Sequence, residues 1–228
     1  WMRVYYAMTT NLDWNFGRLI SSIKDAGMID NTIIIFTSDH GEMFGSHGRM
    51  KKNIFYEESI RVPFLIQWRD KLSSGLKLDT LLSTVDIMPT ILGLVDVEIP
   101  KEVEGTDLSL KLRGKTIDEP LFAFLMNTGA CAIWEDGHEW RAIRDKKYTY
   151  AVYRGSKDLP RKELFFNNIN DPFQLNNHID NSKYLTKINH FRIYLSDKMN
   201  QLNDEFPASS WYLKNWIQDR NIKRTATM

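Results

Sequence analysis

The stretch TIIIFTSDHGEMFGSHGRMKK, residues 32–52, places Asp39, His40, His47, Lys51 and Lys52 behind a run of apolar residues and threads three glycines between them. Asp39 can ligate a divalent cation through a carboxylate oxygen and His40 through a ring nitrogen, while Gly41 lets the backbone turn away without a side chain in the site. Lys52 stands on the return of the glycine-rich loop. An ammonium there is a compact point charge suited to an oxyanion that a metal also grips. Lys51 carries the same charge one residue earlier, and spacing alone does not choose between them. His47, with an ordinary imidazole pKa of about 6.5, suits protonation of a leaving group. Each of these residues has a plainer reading too, as a capping aspartate, loop histidines or solvated lysines.

Such chemistry needs rigid elements to deliver it. Residues 32–37 are β-branched or aromatic throughout, with no alternation, which predicts a strand buried on both faces of a parallel sheet. Ligands of open parallel sheets sit outside the carboxyl ends of the strands, and Ser38, Asp39, His40 and Gly41 then lie there. Upstream, Leu12, Phe16, Leu19, Ile20 and Ile23 recur at three and four, which predicts an amphipathic helix over 4–23 that stops near Gly27. A turn at Asp30 and Asn31 follows. Downstream, 64–68 and 81–85 are short strand candidates, and Asp86 is a candidate cap for a helix with Pro89 in its first turn, running to Leu94.

Beyond a stretch rich in Pro, Gly and charge at 98–120, the rhythm changes to short strand candidates at 121–125, 130–134, 140–144, 148–153 and 163–166. Asn170, Asp171 and Pro172 make a turn. Leu185, Ile188, Phe191, Leu195, Met199 and Leu202 then trace a second amphipathic helix. The expected fold class is α/β, with residues 1–115 forming a mostly parallel α/β part and residues 116–228 a small antiparallel sheet with a C-terminal helix.

The 228 residues carry 30 basic and 29 acidic side chains, so the formal charge of +1 gives no reason to expect nucleic acid or an anionic membrane as partner. Any anion site must be local. A hydrophobic content of 43% is enough to bury a real core. The longest nearly apolar run, 87–95, is interrupted by Pro89, Thr90 and Gly93 and falls far short of the roughly 20 residues a spanning helix needs. A single cysteine, Cys131, excludes an internal disulfide and a multi-cysteine metal site. His138 in a Gly-rich turn, His178 beside the Asn-Asp-Pro turn and His190 on the C-terminal helix receive no chemical role. The chain opens on Trp1 with no signal peptide after it, as expected for a chain processed or cut from a longer one.

The stretch NLDWNFGRLISSIKDAGMIDNTIIIFTSDHGEMFGSHGRMKKNIFYEESIRVPFLIQW resembles the downstream half of the sulfatase catalytic domain, in the alkaline-phosphatase-like superfamily. The resemblance continues through TVDIMPTILGLVDVEIPKEVEGTDLS, EWRAIRDKKYTYAVY and ELFFNNINDPFQLNN, and so covers nearly the whole chain. It implies an alkaline-phosphatase-like sandwich followed by the family's C-terminal subdomain. By position, Asp39 matches a metal-binding aspartate, His40 its metal-binding and substrate-facing neighbour, and Lys52 the lysine that contacts the sulfate, twelve residues after His40. Lys52 and His47 are then the expected catalytic residues. The resemblance implies calcium, although a nitrogen ligand suits zinc or manganese better. It also implies a formylglycine nucleophile, made from Cys or Ser in a Cys/Ser-x-Pro/Ala-x-Arg motif, and further metal-binding aspartates. That motif is absent here and belongs to an upstream segment. Cys131 is followed by Ala132, Ile133 and Trp134 with no arginine four positions on, so it reads as a small apolar strand residue.

The resulting expectation is the C-terminal portion of a sulfate ester hydrolase acting on a sulfated sugar or small ester, with its missing upstream half as partner and a periplasmic or secreted location. Two alternatives stand beside it. One is a phosphonate or phosphodiester hydrolase of the same superfamily, and the other an inactive fragment or interaction module.

Overall fold

The computed structural model describes residues 1–128, 136–218 and 221–222. The predicted first helix forms as α1 (Met2–Asp25). It closes where Gly27 takes a φ of +69°, a left-handed turn that glycine enters without a Cβ clash. One 3-10 turn, Ile29–Asn31, leads into β1 (Ile34–Thr37), and Phe16 of the helix meets Phe36 of the strand edge-on at 5.2 Å.

β1 pairs with β2 (Phe64–Gln67), with Ile34 opposite Gln67 and Thr37 opposite Phe64. This pairing is antiparallel, and Ile34, Ile35 and Phe36 are half-buried, whereas a strand enclosed on both faces with parallel neighbours was expected. β-branched composition specifies an extended backbone; which strand lies alongside, and in which direction, is set by the chain between them. Here that chain is a loop and the single turn α2 (Glu57–Ile60), which returns the backbone for an antiparallel partner.

The strand expected at 81–85 does not form. Thr84 begins α3 (Thr84–Leu94), with Ser83 as N-cap. Asp86 lies in the first turn, where one carboxylate oxygen accepts from the Ser83 backbone N–H at 2.7 Å and the other from that of Thr106 at 2.7 Å. A carboxylate at a helix N-terminus is favoured by the dipole and by the free N–H groups there. Pro89 is thus inside the helix and not in its first turn. The 98–120 stretch folds back on α3 and carries one further turn, α4 (Ser109–Leu112). Gly105 lies so close that a Cβ would stand 2.2 Å from the Val85 carbonyl oxygen.

The downstream sheet is an antiparallel meander of β3 (Ala123–Asn127), β4 (Trp140–Arg144), β5 (Tyr148–Tyr153) and β6 (Lys162–Asn167) in chain order. The candidate strand at 130–134, and Cys131 with it, lies outside the described residues. The second helix forms as α5 (Leu185–Gln201), followed by α6 (Ser209–Trp216) and a short pairing of β7 (Ile217–Gln218) with β8 (Asn221–Ile222). No helix among the described residues is long and apolar enough to cross a membrane.

Side chains alternate across the meander and build two cores. Ile143, Tyr150, Val152 and Phe165 on one face meet Ile188, Phe191 and Leu195 of α5. On the other face Trp140, Ala142, Ala151, Leu164 and Phe166 meet Met43, Ile54 and Phe55, which belong to the loop singled out in the sequence. That loop is therefore bolted to the sheet by apolar burial.

Arg141 is fully buried on the helix side. It pairs through both nitrogens of its fork with Asp204, donates to the Asn127 carbonyl at 3.0 Å and to the Tyr212 hydroxyl at 3.2 Å, and lies over the Phe206 ring. A buried charge with all its donors engaged is tolerated, and one stripped of its partner is not. Asp204→Ala is expected to destabilise the fold by about 3–5 kcal/mol, read from the shift in urea midpoint, whereas an exposed carboxylate such as Asp30 should shift it little.

Candidate active site

β1 ends at Thr37 and releases Ser38, Asp39, His40 and Gly41 at its carboxyl end. The Ser38 hydroxyl donates to the His40 carbonyl at 2.8 Å, and the His40 backbone N–H donates to Asp39 Oδ1 at 3.0 Å, which folds the four residues on themselves. Gly41 then passes under α2. Its N–H donates to the Ser59 carbonyl at 2.8 Å, and a Cβ at this position would stand 1.9 Å from the Glu58 carbonyl oxygen. Because that obstacle is backbone, no side chain fits there.

The loop back is a succession of left-handed residues: Phe44, Gly45, His47, Gly48, Lys51 and Asn53 all have positive φ. Its neck is held where the Met43 N–H meets the Lys51 carbonyl at 2.8 Å and where Glu42 Oε1 accepts the Lys51 backbone N–H. Lys51 spends its backbone on closing the loop and is not among the residues that line the cleft, whereas Lys52 is, together with Asp39 and His40. The cleft has a volume of about 790 Å³, and Glu57, Trp140 and Arg144 also line it.

Asp39 is exposed and reaches His40, whose Nε2 lies 3.3 Å from Asp39 Oδ2. Partial desolvation pushes the Asp39 carboxyl up, and the His40 imidazole, the backbone N–H groups of His40 and Asp39 and the Ser38 hydroxyl outweigh it, so the group ionises below the usual carboxylate range. His40 Nδ1 lies 2.8 Å from the Gly41 carbonyl, which can accept its N–H. Nε2 faces the Asp39 carboxylate, where it can donate when protonated or share a cation when it is not. Two donors about 3 Å apart are also the span of adjacent ligands on one metal ion, since each bond is about 2.0–2.4 Å. A backbone carbonyl behind a ligating histidine is a common support for such a ring. The residues present thus fit a divalent metal as two of its ligands. Among the described residues no third His, Cys, Asp or Glu joins them.

His47 is elsewhere. Its ring stacks on Tyr56 at 3.7 Å between centroids, and it is not among the residues lining the cleft. Its φ of +55° makes it part of the loop's tight winding.

The sulfatase family model matches residues 2–97. An ulvan-active sulfatase of Formosa agariphila is 36% identical over 223 residues, covering 95% of this chain and 42% of that protein. The chain belongs to the sulfatase family. It spans less than half the length of the curated sulfatases it matches. A solved structure in complex with D-glucosamine-2-N,6-O-disulfate superposes with a TM-score of 0.80 at 27% identity, over 90% of this sulfatase chain and 42% of the other. A phosphonate monoester hydrolase from Silicibacter pomeroyi, at 24% identity and a TM-score of 0.71 over 84% of this chain and 39% of its own, shares the fold. Sulfatases as a family use a metal and a formylglycine.

The residues that the sequence did not single out come from the far end of the sulfatase chain. Glu57, at the start of α2, pairs bidentately with Arg144 of β4, at 2.7 and 2.9 Å, and its backbone N–H donates to the buried Gln174 side chain at 2.9 Å. The hydrogen bonds to Glu57 hold the Arg144 guanidinium above its ordinary pKa against the pull of burial. Arg144 and Trp140 are four apart on one strand and so share the loop-facing side. Period-two spacing was the only signal in the sequence that could have paired them.

Proposed function

We propose that this chain is the downstream part of a sulfuric ester hydrolase acting on a sulfated sugar, in which Asp39 and His40 hold a divalent metal and Lys52 grips the sulfate. The observation that carries this reading is that one loop brings these three residues to the lining of a single cleft, two from its outgoing arm and one from its return. The names of the relatives support a sulfated carbohydrate as substrate. Lys52 would neutralise charge on the sulfate oxygens, and the Asp39 carboxylate, ionised throughout the neutral range, is ready to ligate without losing a proton. We assign His47 to the packing of the loop.

The metal we assign is calcium, on family grounds. Zinc and manganese, which an imidazole suits better, are the competing ions, and restoring chelator-stripped enzyme with each in turn ranks them. The nitrogen donor of His40 is also what favours the second reading, a phosphonate or phosphodiester hydrolase; parallel assays on an aryl sulfate and an aryl phosphonate separate the two.

The nucleophile, a formylglycine, would be supplied by the upstream half, because no Cys or Ser among these 228 residues stands in a Cys/Ser-x-Pro/Ala-x-Arg motif. The 228-residue chain by itself is therefore expected to show no aryl-sulfatase turnover. Joined to an upstream half, with calcium and a formylglycine-generating enzyme, it is expected to turn over. Robust activity of the chain alone, abolished by Cys131→Ala, would overturn the assignment of the nucleophile.

A further inference from the structure

Lys52 is followed by Asn53, whose φ of +72° puts an ordinary side chain in the left-handed region. Asparagine enters that region more readily than other residues with a Cβ, and its neighbours hold it there. The carbonyl of Asn53 accepts two side-chain donors from the sheet. The indole N–H of Trp140 donates to that oxygen at 3.1 Å, and the Asn127 side-chain amide donates to it at 3.4 Å. Trp140 and Asn127 are directly opposed partners on β4 and β3, so two neighbouring strands aim at one oxygen. Trp140 is itself immobile: it is 4% exposed and its ring meets Phe55 edge-on at 5.3 Å within the core that also holds Met43 and Ile54.

We propose that Trp140 is a positioning residue for the sulfate-binding lysine, its indole N–H holding the Asn53 carbonyl and thereby setting where the Lys52 ammonium stands in the cleft. This rests on the sulfatase reading of Lys52. The C-terminal sheet then does more than cover the loop. It acts as a gauge: apolar burial holds the loop to the sheet, and the Trp140 donor of β4 sets the backbone next to Lys52. Displacing a group that grips the reacting centre by about 1 Å can cost on the order of 100-fold in rate, and loss of one of two donors to the carbonyl should give part of that.

The test uses the complete enzyme and four variants: Trp140→Phe, which keeps an aromatic ring and removes the donor, Lys52→Ala, the double variant, and Phe165→Leu, a core change on the opposite face of the same sheet. Trp140→Phe is expected to lower kcat/KM for an aryl sulfate about tenfold with metal affinity unchanged. On the Lys52→Ala background the same substitution should change kcat/KM by less than about twofold, because a residue acting through Lys52 has nothing left to act on. Phe165→Leu should lower the thermal midpoint and leave kcat/KM near wild type.

Wild-type activity of Trp140→Phe would overturn the proposal. So would a tenfold loss that persists without Lys52, which would mark Trp140 as general scaffolding. If Trp140→Phe does not accumulate as folded protein, Asn127→Ala removes the companion donor, and the same pair of outcomes decides: a loss that vanishes on the Lys52→Ala background supports the gauge, and no loss, or a persistent one, overturns it. Failure of the sulfatase reading looks different, since wild type would then not cleave the ester or Lys52→Ala would be harmless.

Discussion

In the complete enzyme Asp39→Ala is expected to lose metal binding and turnover together. Asp39 is the anionic member of the proposed donor pair, and its carboxylate stands 3.3 Å from the ring nitrogen that would share the cation. Residues that merely support a ligand typically cost 10–100-fold in metal affinity, so removing the ligand itself should cost at least about 100-fold. A metal that polarises the scissile group supplies several kcal/mol, which at 1.36 kcal/mol per decade is about 1,000-fold in rate. Calorimetric titration with calcium checks the first figure and steady-state kinetics the second. Asp171 makes the contrast: its carboxylate accepts the Asn176 backbone and side-chain amides in the C-terminal turn, and Asp171→Ala should change stability while leaving metal affinity alone. Equal metal affinity in wild type and Asp39→Ala would remove Asp39 from the site.

Lys52→Ala is the second large effect, on the order of 100- to 1,000-fold in turnover, by the measure of deleting one preorganised contact to a developing oxyanion. Metal affinity should survive it, because Lys52 comes from the opposite arm of the loop. Lys51→Ala should cost little by comparison. Lys51 contributes its carbonyl and N–H to the neck of the loop, and alanine keeps both. If Lys51→Ala proved the damaging change, the orientation of the return arm would be wrong by one residue.

The local elements were legible in the sequence because their signals are local. The three-and-four spacing gave α1 and α5 nearly to their ends, and runs of β-branched and aromatic residues gave β4 and β5 at their observed bounds. The pairing of Asp39 and His40 was legible too, since neighbours in sequence at a strand end are neighbours in space. Where a competing local signal existed, the reading failed: Leu81 to Val85 look like a strand, but Ser83 caps a helix that begins inside that span and Asp86 completes the capping from the first turn, satisfying N–H groups that a lone strand would leave unpaired.

Only the tertiary structure decided the rest. The direction of the β1–β2 pairing depends on how the chain returns, which composition does not encode. Lys52 and not Lys51 lines the cleft, and the sequence marks only the glycines among the loop's left-handed residues. His47 stacks on Tyr56, nine residues on, and is not among the residues that line the cleft. The contacts of Trp140 with Asn53 and of Arg144 with Glu57 each span 87 residues. Such contacts arise from the burial of two surfaces against each other, a property of the folded chain with no counterpart in any short stretch of its sequence.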